Sequence, residues 1–189
     1  MADTISTKVI TGPHVRFSYL NVFEAKTMSD GGTPKYSVSL IIRKSDKNTL
    51  DAIRAAIKAA YEQNPDKIKG SMKAVPPLSS IKTPLRDGDT ERPGDEAYKG
   101  CYFLNANTTI RPEIVDAACK PILDRSEVYS GCYGRASITF YAYNTNGSKG
   151  IAASLNNLQK LKDGEMLGGR ASAASDFATA PVEDEDFLN

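Results

Sequence analysis

The sequence has no tryptophan, one histidine (His14) and three cysteines in 189 residues. With a single histidine near the N-terminus, most general acid–base schemes lack their usual side chain. Cys101, Cys119 and Cys132 form no C-x-x-C pair, so we expect reduced thiols and neither a disulfide framework nor a zinc site. No P-loop, G-x-S-x-G or H-E-x-x-H motif is present. The sequence therefore predicts a protein that needs no cofactor or metal, and it argues against an enzyme.

Long apolar segments are also missing. The longest apolar runs, such as Ile151–Ala153, are far too short to cross a bilayer. The first residues, Met1–Lys8, lack the apolar core of a signal peptide. We therefore expect no membrane association, and reduced cysteines point to a cytoplasm-like compartment.

Basic residues are absent from positions 171–189, which contain five acidic residues. Residues 1–170 contain 24 Lys and Arg against 18 Asp and Glu, so a body of about +6 precedes a tail of about −5. The tail cannot bury enough apolar surface to fold alone. We predict one folded domain over 1–170 and a disordered acidic tail over 171–189. Such charge asymmetry is a sign of contact with nucleic acid or a membrane surface.

Alternating apolar and polar residues predict strands, and the strands are expected over Val15–Lys26, Tyr36–Ile42, Gly100–Ile110, Cys132–Tyr143 and Gly150–Leu161. A helical period over Ser45–Asn64 predicts one amphipathic helix, with Ser45 or Asp46 as N-cap. Residues 65–99 read as a long basic loop, and 111–125 as an irregular connection. The pattern predicts a mainly β fold, an OB-fold-like antiparallel barrel of five to six strands with one packed helix. The helix comes earlier along the chain than in the familiar OB-fold.

The strand Cys132–Tyr143 carries the first candidate for a binding surface. One face is small or apolar and suits a core, whereas the other carries Tyr133, Arg135, Tyr141 and Tyr143. Planar rings and a guanidinium along one face can stack on unpaired bases. A half-buried face covered by a helix or loop explains the same pattern equally well.

Other aromatic and basic residues are weaker candidates. The weaker stacking candidates are Phe17, Tyr19, Tyr36, Tyr102 and Phe103, and for the stripe of Phe17, Tyr19 and Phe23 a core role is favoured. The candidates for a phosphate path are Lys35, Arg43, Arg86, Arg92, Lys99 and Lys149. Ordinary solvated surface residues remain an alternative for each of them.

Two further functions are open. Asp87 and Asp89 are spaced closely enough to hold Mg²⁺, which would suit a nuclease or another phosphoryl-transfer enzyme. Asp-Gly is first of all a turn signal, however, and no general base accompanies it. The third alternative is a structural virion or scaffolding protein, which would self-assemble and show no affinity for nucleic acid.

The C-terminal residues combine charge with an aromatic ring. They are Glu183, Asp184, Glu185, Asp186 and Phe187, followed by Leu188 and Asn189. Such a segment suits a basic groove or a partner protein. It can also fold back on the basic body and compete with nucleic acid. A purely solubilising tail is the alternative.

Several stretches resemble one known family. They are Tyr129–Ala136, Phe140–Asn144, Lys149–Ile151 and Asp163–Glu165. These are similar to phage single-stranded DNA-binding proteins of OB-fold type, formerly a domain of unknown function, and the resemblance covers about residues 5–170. It implies a sequence-nonspecific binder of single-stranded DNA in phage replication, recombination and repair, located in the cytoplasm of the infected bacterium and without catalysis. It also implies a tail that recruits phage or host replication and recombination proteins. A homodimer or a cooperative assembly on DNA stays open.

Overall fold

A computed structural model describes residues 5–27, 29 and 31–168 of the chain. Within these residues the chain forms eight strands and three α-helices. The strands are β1 (Lys8–Ile10), β2 (Val15–Lys26), β3 (Lys35–Arg43), β4 (Arg86–Asp87), β5 (Cys101–Thr108), β6 (Glu113–Val115), β7 (Tyr133–Thr145) and β8 (Ser148–Lys162). The helices are α1 (Lys47–Glu62), α2 (Pro65–Lys69) and α3 (Gly88–Glu91). The predicted tail, residues 171–189, lies outside the described part.

Five of the strands close into a barrel. β2 pairs with β3, β3 with β5, β5 with β8, β8 with β7, and β7 again with β2. Every pairing around the barrel is antiparallel except β5–β8, which is parallel. The short strands β1, β4 and β6 extend the sheet from β7, β5 and β8. The predicted mainly β, OB-like barrel is thus confirmed, with three short strands added to it.

Helix α1 lies between the second and third strands of the barrel. The Asp46 carboxylate caps its start and accepts a hydrogen bond from the Thr49 N–H at 3.2 Å. Leu50, Ile53 and Ile57 on its inner side are buried, as the helical period predicts. No helix in the described part of the chain is long and apolar enough to cross a membrane.

The two connections predicted to be irregular contain short regular elements. Residues 65–99 include α2, β4 and α3, and residues 111–125 include β6. β6 pairs with β8 over only three positions. Elements of two to five residues are too short to produce a recognisable period in the sequence, which is why the pattern misses them.

The inward faces of the long strands fill the barrel. On β7 the residues predicted for the core are all buried: Gly134, Ala136, Ile138, Phe140 and Ala142. Gly134 is needed where β7 approaches β8, because a Cβ at this position would lie 1.9 Å from the Gln159 carbonyl oxygen. The packing of the two strands therefore depends on the missing side chain.

The cysteines form no disulfide within the described residues. Cys101 and Cys132 are buried, whereas Cys119 is exposed. Burial raises the pKa of the Cys101 and Cys132 thiols, so both stay protonated at neutral pH and pack as small apolar side chains.

A bulge in β2 changes which side chains face the core. The pairing with β3 shifts register between Ser18 and Asn21, and Tyr19 has a positive φ of 46°. Phe17, before the bulge, is fully buried. Tyr19 would face the core in a regular strand, but the bulge turns it outward and leaves it 57% exposed. The prediction that the aromatic residues of β2 share one face of the strand is therefore wrong.

The segment before β5 covers part of the outer face of the barrel. Tyr98 is 2% exposed and lies edge-on to Phe103 with ring centroids 5.0 Å apart. Its hydroxyl donates to the Ser39 hydroxyl at 3.3 Å. Together with Ile41 and Cys101 these rings form a small second core outside the barrel. The end of the predicted basic loop is therefore fixed to β3 and β5.

Candidate functional site

A groove runs over the part of the β3 and β5 outer face that Tyr98 leaves uncovered. Its floor is polar, because Ser37 lies opposite Asn107 and Ser39 lies opposite Asn105 in the pairing of the two strands. Two cavities of about 420 and 540 Å³ meet there and share lining residues on the floor and one wall. We call this surface the β3–β5 groove. It is lined chiefly by Tyr19, Asn21, Ser37, Ser39, Lys82, Arg86, Glu91, Arg92, Asn105, Asn107 and Tyr143.

Two tyrosines lie at the two ends of the β3–β5 groove. Tyr19 lines one cavity and is exposed through the β2 bulge, whereas half-buried Tyr143 lines the other. Arg92 holds Tyr19 in place, because its guanidinium donates to the Tyr19 hydroxyl at 2.6 Å and lies 5.2 Å from the ring centroid. The same guanidinium lies 4.4 Å from the Tyr98 ring centroid. The groove thus offers flat rings with cations beside them.

Two arginines line the wall formed by the β4–α3 segment. Arg86 forms an ion pair with Glu91 and lies 5.2 Å from the Phe103 ring centroid. Arg92 pairs with Asp95 at 3.0 Å. The hydrogen bond from Arg92 to Tyr19 raises the pKa of the guanidinium. Both arginines are already paired with acidic side chains at the surface.

Several residues of the groove were not among the sequence candidates. Asn105 and Asn107 form the floor, with Ser37 and Asn21 beside them and Lys82 on the rim. Asparagine is depleted in strands, and in β5 two asparagines alternate with the buried Leu104 and Ala106. That alternation is the signal by which the sequence could have revealed a polar outer face.

Besides the buried Phe103, five of the predicted site residues lie in or beside the groove. Tyr19, Arg86, Arg92 and Tyr143 line the β3–β5 groove. Lys35 lies two residues before Ser37 on β3, so its side chain leaves the same face of the strand.

Tyr133 and Tyr143 line different cavities, although they lie on the same face of β7. They are ten residues apart on an extended strand, which corresponds to about 33 Å. Tyr133 lines a different cavity together with Arg43. Tyr141 is 41% exposed on β7 but does not line the groove.

Other predicted residues serve local contacts away from the groove. Arg135 donates to the Thr11 carbonyl at 3.1 Å, on the side where β1 joins the sheet. Lys149 donates to the Lys69 carbonyl at 3.1 Å and ties the β7–β8 hairpin to the end of α2. Lys99 lines a separate small cavity in the outer loop.

Four aromatic candidates are buried or half-buried. Phe17 and Phe103 are 0% and 3% exposed, so neither offers a face for stacking. Tyr36 and Tyr102 share their strand faces with core residues and are half-buried. Tyr102 is also covered by Lys44 and Arg54, at 5.2 and 5.3 Å from its ring centroid.

The two carboxylates that could hold Mg²⁺ share an ion pair with one lysine. The Lys44 ammonium lies 2.9 Å from Asp87 and 2.7 Å from Asp89. Asp89 also accepts a hydrogen bond from the Gly100 N–H at 2.9 Å. The lysine lowers the pKa of both carboxyls, and they raise the pKa of Lys44 in return. The pair fastens the loop to the barrel, and the described residues contain no cluster of three or more potential metal ligands.

The last described residues lie beside one end of the groove. The Leu167 N–H donates to the Ser130 carbonyl at 2.8 Å. Leu167 and Gly168 line a cavity of about 380 Å³ together with Tyr19 and Tyr98. The chain therefore leaves the barrel next to Tyr19. The candidate tail residues, Glu183 to Phe187, lie outside the described residues.

Comparisons with known proteins find similar proteins in phages. Residues 7–188 match the family model described as the ssDNA-binding protein of Enterobacter phage Enc34. A putative protein p50 of Acyrthosiphon pisum secondary endosymbiont phage 1 is 31% identical over 182 residues, covering 93% of this chain and 95% of that protein.

Solved structures of phage proteins share the fold. The single-stranded DNA-binding protein of bacteriophage Enc34 in complex with ssDNA is 26% identical, with a TM-score of 0.66 over 86% of this chain and 90% of that one. A C-terminal truncation of the Enc34 protein has a TM-score of 0.70 at 23% identity, over 85% and 88% of the two chains.

Proposed function

This chain belongs to the family of the Enterobacter phage Enc34 ssDNA-binding protein, and we propose that it binds single-stranded DNA in the β3–β5 groove without sequence preference. Family membership agrees with the sequence prediction of a phage DNA-binding protein rather than an enzyme. The observation that carries the proposal is the continuous groove with exposed Tyr19 at one end, Tyr143 at the other, and Arg86 and Arg92 on its wall.

The position of the groove suits this function. In OB-folds the outer face of the second and third strands binds oligonucleotides, and β3 and β5 are the second and third strands of this barrel. Tyrosine rings stack on any base, because every base has a π-face. The amides of Asn105 and Asn107 supply donors and acceptors for base edges on the groove floor.

The charges of the groove suit a strand that arrives with its own negative charge. Arg86 and Arg92 are paired with Glu91 and Asp95 in the unbound protein. A phosphate competes with those carboxylates for the guanidinium groups, and the four side chains are 32–47% exposed. Exposed ion pairs contribute about 0–1 kcal/mol, so exchanging a carboxylate for a phosphate costs little.

We propose that the acidic tail, residues 171–189, competes with DNA for the groove of the domain formed by residues 1–170. The described chain ends at Gly168, in the cavity that contains Tyr19. Residues that follow therefore start next to the groove, and five of them are acidic. We propose that they compete with DNA for the basic wall. Through Phe187 they would also recruit replication and recombination proteins in the cytoplasm of the infected bacterium.

The binding proposal is tested with the full chain and fluorescently labelled oligo-dT. We expect salt-dependent binding to the single strand, weaker binding to duplex of the same length, and an intact strand after incubation with Mg²⁺ or Mn²⁺. A chain that binds no oligonucleotide at low salt contradicts the proposal. A strand cleaved in a metal-dependent way would instead restore the nuclease alternative.

The tail proposal is tested by deleting residues 171–189. A tethered competitor acts at an effective concentration near millimolar, and electrostatic, nonspecific contacts have dissociation constants near 10⁻⁴ M. We therefore expect the truncated chain to bind oligo-dT about tenfold more tightly at low salt, and the difference to shrink at high salt. Equal or weaker affinity of the truncated chain would refute competition. Replacing all five acids by Asn or Gln is the matched control for length.

A further inference from the structure

Another cavity, of about 450 Å³, lies on the outer face of the barrel beyond the β3–β5 groove. It is formed where β2 begins and where β3 and β8 end. Its lining includes the half-buried ring of Tyr133 with the basic side chains of Arg16, Arg43 and Lys162, and His14 at its edge. A ring surrounded by cations matches the chemistry of a nucleotide, which combines a flat base with a phosphate.

The cations of this cavity are not neutralised by carboxylates. Arg16 donates to two backbone carbonyls, of Gly131 at 3.2 Å and of Glu165 at 2.7 Å. The ion pairs within the described residues include neither Arg16, Arg43 nor Lys162. This distinguishes the cavity from the groove, where both arginines are paired.

Two acidic residues also line the cavity, but one of them is engaged elsewhere. The Asp163 carboxylate pairs with Lys160 at 2.6 Å and accepts a hydrogen bond from the Tyr129 hydroxyl at 3.1 Å. Glu165 is exposed, and only its backbone carbonyl contacts Arg16. The cavity therefore keeps an excess of positive charge for an anionic ligand.

Arg16 is also held against the ring. Its guanidinium carbon lies 5.4 Å from the Tyr133 ring centroid, and the two carbonyl contacts fix its direction. A positioned guanidinium beside a ring is arranged before the ligand arrives, which reduces the entropy lost on binding.

The segment 163–167, which we call the strap, runs from this cavity to the cavity that Leu167 and Tyr19 line together. It fits against Tyr133 because residue 164 is glycine: a Cβ there would lie 2.6 Å from the ring and 2.2 Å from the Gly131 carbonyl oxygen. Leu167 at its other end packs on the cluster of Ile41 and Phe103. The groove residue Ser39 and the cavity residue Arg43 are four residues apart on β3, or about 13 Å.

We propose that the cavity binds one nucleotide, its base against Tyr133 and its phosphate between Arg43 and Lys162. This deepens the proposed function, on which it rests, because a strand that fills the groove and crosses the strap delivers such a nucleotide. A free nucleotide has the same chemistry, so the experiment includes both sources.

The experiment measures the affinity of the full chain for oligo-dT of about 4 to about 16 nucleotides, the range of site sizes for single OB-folds. Wild type, Tyr133→Ala and Arg43→Ala are compared with Tyr19→Ala. We expect the two cavity variants to bind the shortest strands as wild type does. On the longest strands we expect Tyr133→Ala to lose about 5- to 150-fold. Tyr19→Ala should lose affinity at every length.

Three controls separate the outcomes. Because Arg43 is exposed, Arg43→Ala should leave the barrel intact and serves as the test if Tyr133→Ala fails to fold. Tyr133→Phe keeps the ring and should therefore bind long strands as the wild type does. Titration with dTMP tests whether the cavity also binds a free nucleotide. This is the case if dTMP binds the wild type but not Tyr133→Ala. Cavity variants that match wild type with all strands and with dTMP overturn the proposal. Equal losses at every length also overturn it. If the wild type binds no strand, the proposed function is refuted. The titration with dTMP then still shows whether the cavity binds a nucleotide.

Discussion

Replacing Tyr19 with alanine is expected to weaken binding of oligo-dT about 5- to 150-fold, the equivalent of 1–3 kcal/mol for one stacked base. Tyr19 is 57% exposed at one end of the β3–β5 groove. Because Tyr19 is mostly exposed, the melting temperature of the variant should stay close to that of the wild type. Fluorescence titration at low salt measures the effect.

Tyr19→Phe separates stacking from hydrogen bonding. Phenylalanine keeps the ring and loses the hydroxyl that Arg92 contacts at 2.6 Å. If stacking dominates, Tyr19→Phe retains most of the affinity. A phenylalanine variant as weak as the alanine variant would show that Tyr19 acts by orienting Arg92. An alanine variant that binds like the wild type would remove Tyr19 from the binding surface.

Replacing both Arg86 and Arg92 with glutamine is expected to change the salt dependence of binding more than Tyr19→Ala does. On a single strand, each lost phosphate contact lowers the magnitude of the slope of log K against log salt concentration by about 0.7. The double variant should therefore lower the magnitude of this slope by about 1.4. Hydrogen bonds to charged groups contribute about 1.5–3 kcal/mol each. We therefore expect affinity to fall more than about 100-fold at low salt.

The matched control removes two positive charges from α1. Lys47 and Lys58 are exposed and do not line the groove, so Lys47→Gln with Lys58→Gln should leave the salt slope nearly unchanged. Glu91→Gln tests the same wall in the opposite direction: it frees Arg86 from its ion pair and should tighten binding. The wall has no role in binding if the Arg86 and Arg92 variant behaves like the control.

The barrel was predictable because its long strands carry strong patterns. β2 and β7 alternate over twelve and thirteen residues, and the inward face of β7 is small or apolar throughout. The helix over 47–62 follows its period and its cap. The resemblance to phage single-stranded DNA-binding proteins, drawn mainly from residues 129–165, is confirmed by the family match over residues 7–188.

The site was harder to predict because it depends on backbone irregularity and distant contacts. Nothing in the alternation of β2 reveals the bulge that turns Tyr19 outward. The contact that fixes the basic loop to the barrel joins Tyr98 to Ser39, 59 residues away. Tyr133 and Tyr143 share a face of one strand, but the length of that strand places them in different cavities. Burial of Phe17 agrees with the core role that its stripe favours, whereas burial of Phe103 depends on the packing of Tyr98, which the sequence alone does not specify.

The closure of the barrel has a consequence for how the chain acquires its groove. Val15 at the start of β2 pairs with Gly134 of β7, and Arg16 reaches the Glu165 carbonyl, 149 residues away. Such distant contacts slow folding, since a long loop must close before any contact compensates for its entropy. During synthesis β3 and β5 emerge early, but β8, which closes the barrel beside β5, emerges last. A ribosome-bound chain shorter than about residue 165 therefore carries the groove floor without the barrel that supports it.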